Sequence, residues 1–395
     1  IPSLALLILL ATPLAAQRGT PPAGWAGFTK RIDAYVDSNR IVGASAVLVR
    51  DGKIVARYNV GFADRSAGRR VDDRTLFHYG SITKTLTAIT VMQLRDRGKL
   101  SLDDPITKWI PELRQVHDPY GSIDSVTLRM LLSHTAGFQD PTWPYTEGQA
   151  WEPFEPTTWA QLVAMMPYQE LHFKPGSRYG YSNPGFIYLA RVVELITGEP
   201  WVSYVQKNVF APLGMARSYF STTPYHLAGD RSRGYDVNVD SANQRDVVVD
   251  HGADFDPGIT IPNGGWNAPL DDLAAYLAFL TSAAADTASK RRYDLVLSRK
   301  SLEEMWQPQR NSGVLSDSTG HRRDMGLGFM VDRDAARYDI GHTGSQGGYE
   351  AFLHFNPRNR TGFVLVFNTT YHDSVVGRAP SLDHDMMAAA WEWIH

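Results

Sequence analysis

The chain has 395 residues, of which 43% are apolar and 21% are charged, and it contains no cysteine. This length and apolar content allow a large buried core, which excludes a wholly disordered or fibrous protein. The 39 basic and 42 acidic residues leave a formal charge of −3, so we expect no nucleic-acid partner bound by phosphate neutralisation. Without cysteine, disulfides, cysteine nucleophiles and thiolate metal ligands are excluded. The composition indicates a soluble globular protein.

The first segment is an apolar run at residues 4–10, followed by Pro13 and the small residues Ala15 and Ala16. This pattern is typical of a secretory signal and is too short to span a bilayer comfortably. We therefore predict a signal peptide over residues 1–17 and one domain over residues 18–395. The protein is then exported, periplasmic or extracellular, with no stable membrane span after cleavage. A membrane anchor is the alternative, and the start at Ile1 looks truncated.

Sheet-forming sequence lies at both ends of the chain. Apolar residues at helical spacing over 28–36 predict a first helix, and a last helix is predicted after Ser381. Asp51-Gly52 is a tight turn between two strands, and the segment 356–361 separates another pair. The four predicted strands are Ala44–Val49, Lys53–Tyr58, Glu350–Phe355 and Gly362–Phe367.

The middle of the chain, residues 76–280, shows mainly helical patterns and loops. Ile82–Arg97 is apolar nearly all round and is followed by Gly98, which predicts a buried helix with a glycine stop. We predict an α+β fold in which a sheet from about 25–70 and 281–395 receives a mostly helical insertion at about 71–280.

Ser81-Ile82-Thr83-Lys84 opens the predicted buried helix and is the chain's one Ser-x-x-Lys sequence. Residues i and i+3 share a helix face, so the Ser81 hydroxyl and the Lys84 amine can form a hydrogen bond. A serine becomes a good nucleophile when a neighbouring base takes its proton, and free N–H groups at a helix start suit a developing oxyanion. The alternative is that Ser81 only caps the helix.

Tyr181-Ser182-Asn183 is the second candidate motif, and Pro184 and Gly185 follow it. One interpretation is a turn with an aromatic side chain packed beneath it. In the other, the Tyr181 phenol passes protons beside Lys84, while the Asn183 amide orients Lys84 and the substrate.

His342-Thr343-Gly344-Ser345 precedes the first C-terminal strand. A glycine at a strand edge lets a substrate backbone approach closely, and the Ser345 N–H can point at an oxyanion. A glycine-rich turn with a polar histidine is the alternative.

In order and rough spacing, these three motifs resemble the class C β-lactamase-related serine hydrolases, with Tyr-Ser-Asn and His-Thr-Gly as variants of Ser-Asp-Asn and Lys-Thr-Gly. Three flanking stretches strengthen the resemblance, which covers essentially the whole chain from Phe28: Gly98–Pro105, Leu131–Phe138 and Met325–Phe329. It implies an antiparallel sheet flanked by helices with an inserted helical subdomain. It also implies a site at their junction, without metal or organic cofactor.

The resemblance further implies an acyl-enzyme mechanism on a small-molecule or peptide substrate. Ser81 is then the nucleophile, and Lys84 and Tyr181 transfer protons. The substrate-binding and oxyanion residues implied are Asn183, His342, Thr343, Gly344 and Ser345. We expect a D-alanyl-D-alanine carboxypeptidase, a D-peptidase or a β-lactamase-related hydrolase, with a carboxylesterase or a non-catalytic binding relative as alternatives. The sequence leaves the natural substrate and the oligomeric state open.

His342 departs from the lysine of Lys-Thr-Gly. An unperturbed histidine titrates near ~6.5, so we expect a partial charge at pH 7 that fades as pH rises. His134, in the family-like stretch, is predicted to be structural rather than catalytic. Five aromatic residues beyond Phe138 are either loop packing or the rim of a substrate cleft: Trp143, Tyr145, Trp151, Phe154 and Trp159.

Overall fold

A computed structural model describes residues 20–138, 156–240, 242–243, 245–254, 256–284, 286–315, 322–333 and 338–371. The predicted signal peptide, the predicted helix after Ser381 and four of the aromatic residues, Trp143, Tyr145, Trp151 and Phe154, lie outside these ranges. Within the ranges, no helix combines the length and the apolar character needed to cross a bilayer.

The strands of the described residues, in chain order, are β1 (Gly43–Arg50), β2 (Lys53–Asp64), β3 (Arg69–Arg70), β4 (Leu76–His78), β5 (Tyr219–Phe220), β6 (Gly234–Asp240), β7 (Arg245–Gly252), β8 (Trp266–Pro269), β9 (Val314–Leu315), β10 (Arg322–Met325), β11 (Met330–Arg333), β12 (Tyr338–Gln346), β13 (Tyr349–Asn356), β14 (Thr361–Phe367) and β15 (Thr369–Tyr371). The largest sheet has the order β3-β2-β1-β14-β13-β12-β11-β10-β9, with antiparallel neighbours. Its strands come from both ends of the chain, which join where β1 pairs with β14.

Both predicted hairpins are present in this sheet. Asp51 and Gly52 have φ angles of 50° and 72°, the left-handed conformation that a two-residue hairpin turn requires at both central positions. Asn356 pairs with Thr361 at the end of the second hairpin, between β13 and β14. The turn sequences therefore identify both strand connections, although β2 runs on to Asp64, beyond the predicted end.

The helices of the described residues are α1 (Trp25–Ser38), α2 (Thr83–Asp96), α3 (Leu128–Leu132), α4 (Trp159–Met165), α5 (Asn183–Thr197), α6 (Trp201–Val205), α7 (Ala211–Leu213), α8 (Ile261–Gly264), α9 (Leu270–Leu280), α10 (Thr287–Val296) and α11 (Arg299–Met305). α1 covers one face of the large sheet, where Phe28 packs edge-on against Phe363. The opposite face packs against α9, and α2 and α5 extend this second core. β1 is buried on both faces, which explains its continuous apolar sequence.

The predicted buried helix is α2. Its residues from Thr83 to Leu94 are all buried, and Gly98 follows it with φ 66°. A 3₁₀ turn, Gly80–Ile82, leads into α2 and packs against β12. Ser81 therefore lies where the helical layer meets the large sheet.

Residues 76–280 also contain short strands that the sequence did not predict. β4, β8 and β5 form one small sheet there, and β6 and β7 form another with β15. Segments of three or four residues, such as β4 and β8, are too short for periodicity to separate strand from helix.

Helices also occupy part of the predicted C-terminal sheet region. The Asp286 side chain accepts the Ser289 N–H at the start of α10, and Ser298 accepts the Ser301 N–H at the start of α11. These caps are helix-start signals in the sequence that the prediction did not use.

Candidate active site

Ser81 and Lys84 lie side by side at the start of α2. The Lys84 Nζ is 2.9 Å from the Ser81 Oγ, 2.7 Å from the Asn183 Oδ1 and 2.9 Å from the backbone oxygen of Asn263. The Lys84 side chain is 0% exposed. A buried polar group is costly unless it is hydrogen-bonded, and these three partners match the three hydrogens of an ammonium.

The same three partners also suit a neutral amine. A neutral lysine keeps two N–H donors and gains one lone pair. Asn183 Oδ1 and Asn263 O can only accept, so the two donors stay on them and the lone pair faces Ser81. The Ser81 hydroxyl then donates to Nζ. Of these three hydrogen bonds, only the one between Ser81 and Lys84 reverses when a proton passes between them.

Tyr181 and Asn183 reach this pair from the start of α5. Between them, Ser182 caps the helix, because its Oγ accepts the Gly185 N–H at 3.1 Å. The capped turn points Asn183 at Lys84 and places the centre of the Tyr181 ring 4.9 Å from the Lys84 Nζ. The Tyr-Ser-Asn motif thus brings a phenol and an amide to the lysine.

The His-Thr-Gly-Ser motif forms the end of β12 and contacts the turn before α2. A Cβ atom on Gly344 would lie 2.1 Å from the Tyr79 oxygen and 2.9 Å from the Ser81 nitrogen. A Cβ on Gly80 would lie 2.9 Å from the Ser345 nitrogen. Side chains are therefore excluded at both glycines. Their close contact brings the backbone amides of Ser81 and Ser345 to the same cleft.

His342 is 1% exposed, and its Nδ1–H donates to the backbone oxygen of Thr343. Burial, followed by the Lys84 charge, lowers the pKa of His342 to about 3. The expectation that His342 is partly charged at pH 7 is therefore wrong. The sequence could not reveal the enclosure of the imidazole beside a buried lysine.

A cleft of about 290 Å³ surrounds these groups, lined by Ser81, Tyr181, Asn183, Met330, His342, Thr343, Gly344, Ser345, Glu350 and Phe352. All the predicted site residues line it except Lys84, which lies beneath Ser81. Among the described residues, no group of three His, Asp or Glu side chains could hold a metal ion.

Four residues of the site were not predicted. Asn263 contributes a backbone oxygen, for which the sequence carries no signal. Met330 comes from β11, and Glu350 and Phe352 alternate along β13 opposite Ser345 and Thr343. The register of the β12–β13 hairpin could have identified Glu350 and Phe352, because directly opposite residues share a face of the sheet.

Trp159, the described member of the aromatic group, does not line this cleft. It belongs to a separate pocket with Ile187 and Arg191, and its ring packs edge-on against Tyr188. For Trp159 the structure supports the packing interpretation and not the cleft rim.

Comparisons with known proteins identify the family of the chain. The Beta-lactamase family model matches residues 28–385, so the chain belongs to this family of serine hydrolases. Esterase EstB of Burkholderia gladioli is 33% identical over 300 residues, covering 67% of this chain and 75% of the esterase. The predicted family and enzyme class are confirmed.

Solved structures confirm the predicted α+β fold. The octameric penicillin-binding protein homologue from Pyrococcus abyssi is 26% identical, with a TM-score of 0.72 over 88% of this chain and 74% of its own. A class C β-lactamase, 20% identical, has a TM-score of 0.72 over 93% of this chain and 94% of its own.

Proposed function

We propose that this serine hydrolase acts through a covalent acyl intermediate on Ser81, with Lys84 as the base. The observation that supports this most directly is the hydrogen-bonded position of Lys84, buried and 2.9 Å from the Ser81 Oγ. A lysine held in this way is pre-organised for proton transfer, since Asn183 and Asn263 fix its amine.

In the proposed acylation, the Ser81 Oγ attacks the carbonyl carbon of the donor while its proton passes to the Lys84 Nζ. The backbone N–H groups of Ser81 and Ser345 stabilise the charge on the carbonyl oxygen. Tyr181 gives a proton to the leaving group as the bond to it breaks, and takes the proton from Lys84 in exchange. Water then attacks the acyl carbon as one of its protons passes to Lys84. The bond from the acyl carbon to Ser81 breaks, Lys84 returns this proton to the Ser81 Oγ, and the acid is released.

The remaining cleft residues are proposed to position the substrate. Thr343 and Gly344 present the exposed end of β12 to the substrate backbone, Asn183 orients both Lys84 and the substrate, and His342 supports the strand through its bond to Thr343.

Tyr181→Phe should lower kcat for an uncharged alkyl ester by about 10²–10⁴-fold, the usual contribution of general acid–base catalysis. The ring stays, so packing on its neighbours survives while the phenolic proton is lost. Steady-state kinetics measure this change, and thermal unfolding serves as the control for folding. Near-normal kcat would make Tyr181 a packing residue and require another proton donor.

The proposed donors are uncharged, with esters ahead of peptides and β-lactams. The neutral, buried His342 supplies no cation for a substrate carboxylate, which penicillins and the C-termini of peptides carry. This disfavours a β-lactamase, and it also disfavours the D-alanyl-D-alanine carboxypeptidase that was among the first candidates from the sequence alone. The identity of 33% with an esterase supports the same ranking.

A matched pair of esters, one uncharged and one carrying a carboxylate in the acyl chain, tests this ranking. We expect kcat/KM to favour the uncharged ester by about 10-fold or more, with a ratio that stays constant from pH 6 to pH 8. The ratio is constant because the His342 pKa, about 3, lies below this range and the imidazole stays neutral throughout.

His342→Lys should shift this ratio toward the anionic ester by about 10-fold, whereas the neutral control His342→Gln should not shift it. Preference of the wild-type protein for the anionic ester would contradict the proposal. So would a wild-type ratio that moves toward the anionic ester as pH falls from 8 to 6.

We also propose that residues 18–395 act as one catalytic domain outside the cytoplasm. Support for export comes from the apolar run at 4–10 and from Ala15 and Ala16.

A further inference from the structure

The geometry points to His134 as the positioning residue of Tyr181, a role that rests on the proposed function of Tyr181 as a proton donor. His134 lies two residues beyond α3, is 1% exposed and is not among the residues that line the cleft. It contacts Tyr181 instead of a substrate. The two rings stack with their centroids 4.5 Å apart and their planes 28° from parallel.

His134 also holds the chain on both sides of Tyr181. Its backbone oxygen accepts the Gly180 N–H at 2.8 Å, and its Nδ1 accepts the Ser182 N–H at 3.0 Å. One residue thus fixes the Gly180 N–H before Tyr181, the Ser182 N–H after it and the plane of the Tyr181 ring. These contacts hold Tyr181 in the cleft that it lines together with Ser81.

The hydrogen bond from Ser182 requires a neutral imidazole, because a protonated Nδ1 would be a donor. Burial, followed by the charge of Lys84, lowers the pKa of His134 well below the usual 6.5. The acceptor is therefore present at neutral pH, and the proton of the neutral ring is on Nε2.

The backbone of His134 is held in an uncommon conformation that allows both hydrogen bonds. Its φ is 55°, in the left-handed region that is uncommon for residues other than glycine, although asparagine, aspartate and histidine adopt it more often than most. The flanking turn is fixed by the Thr135 N–H, which donates to the Met130 oxygen at 2.8 Å. Glycine and asparagine can replace His134 without added backbone strain, which provides clean test variants.

His134→Gly removes the ring and the acceptor, whereas His134→Asn keeps a short side-chain acceptor and loses only the ring. Both variants and the wild type are assayed on two esters that share the same uncharged acyl group and differ in the leaving group. The ethyl ester has a poor leaving group that needs a proton from Tyr181, and the nitrophenyl ester has a leaving group that departs without one.

For His134→Gly we expect kcat on the ethyl ester to fall by about 10–100-fold with KM unchanged, and kcat on the nitrophenyl ester to fall by about 3-fold or less. For His134→Asn we expect a smaller fall in kcat on the ethyl ester than for His134→Gly. In a Tyr181→Phe background, His134→Gly should cause little further loss, because the group that it positions is already gone.

The inference would be overturned if His134→Gly lowered kcat equally on both esters. It would also be overturned if His134→Gly lowered kcat as much in the Tyr181→Phe background as in the wild type. Either result would leave His134 a structural residue. Thermal unfolding of each variant separates lost folding from lost positioning, and His134→Asn extends the test if His134→Gly is poorly folded. A wild-type protein that hydrolyses neither ester would overturn the proposed function itself, before any variant is made.

Discussion

Ser81→Ala should abolish covalent labelling of the protein by an acyl donor and lower turnover by about 10⁴-fold or more. The variant loses the one oxygen that forms the acyl bond, while the backbone N–H of residue 81 and the rest of the cleft remain. Intact-mass spectrometry after incubation with an activated ester measures the adduct, and peptide mapping locates it. Thermal unfolding should show a folded protein, since the substitution removes a single hydroxyl at the surface of the cleft.

Ser45→Ala is the matched control for this experiment. Ser45 is buried on β1, outside the cleft, and its Oγ donates to the Asn59 Oδ1. The control should label like the wild type. An adduct on Ser182 or Ser345, or turnover retained in Ser81→Ala, would contradict the assignment of the nucleophile.

Lys84→Met should lower kcat/KM by about 10³-fold or more, because methionine has a similar length and no proton acceptor for Ser81. The Asn183 Oδ1 and Asn263 O lose a donor, but a buried polar side chain is also removed. We therefore expect loss of activity without loss of the fold. Ester kinetics and thermal unfolding, measured on the same preparation, check both statements.

Gln93→Met is the matched control for Lys84→Met, and we expect it to lose stability while it keeps its activity. Gln93 is buried on the same helix and donates to the backbone oxygens of Asn208 and Val296. Its replacement removes both hydrogen bonds and should cost about 2 kcal/mol of unfolding free energy, with kcat within about 2-fold of the wild type. Equal activity loss in Lys84→Met and Gln93→Met would mean that Lys84 matters only for stability.

The sequence predicted those parts of the molecule that short spacing determines. Ser81 and Lys84 share a face of α2 because they are three residues apart, and Asp51-Gly52 forms a hairpin because both residues tolerate positive φ. Co-occurrence of three motifs then placed residues from distant segments in one site. The structure brings Lys84 and Asn183 together across 99 positions of the chain.

Properties that depend on three-dimensional surroundings were not predictable. The neutrality of His342 follows from burial next to Lys84, and the third partner of Lys84 is a backbone oxygen at Asn263. β6 pairs with β15 across more than a hundred residues, so no local pattern marks that sheet. In each case the deciding quantity is a contact between segments, which a single sequence does not encode locally.

The contact between Gly80 and Gly344 has a consequence for changing the specificity of this enzyme. Because main chain meets main chain there, the floor of the cleft carries no side chain that substitution could reshape. Variation is left to the walls, where Met330 and Glu350 line the cleft without a role in the proposed reaction. Phe352 also lines the cleft, but it is 1% exposed and packs against Phe367 in the core. A mutant library confined to Met330 and Glu350 would sample new substrate shapes and charges while the catalytic floor stays intact.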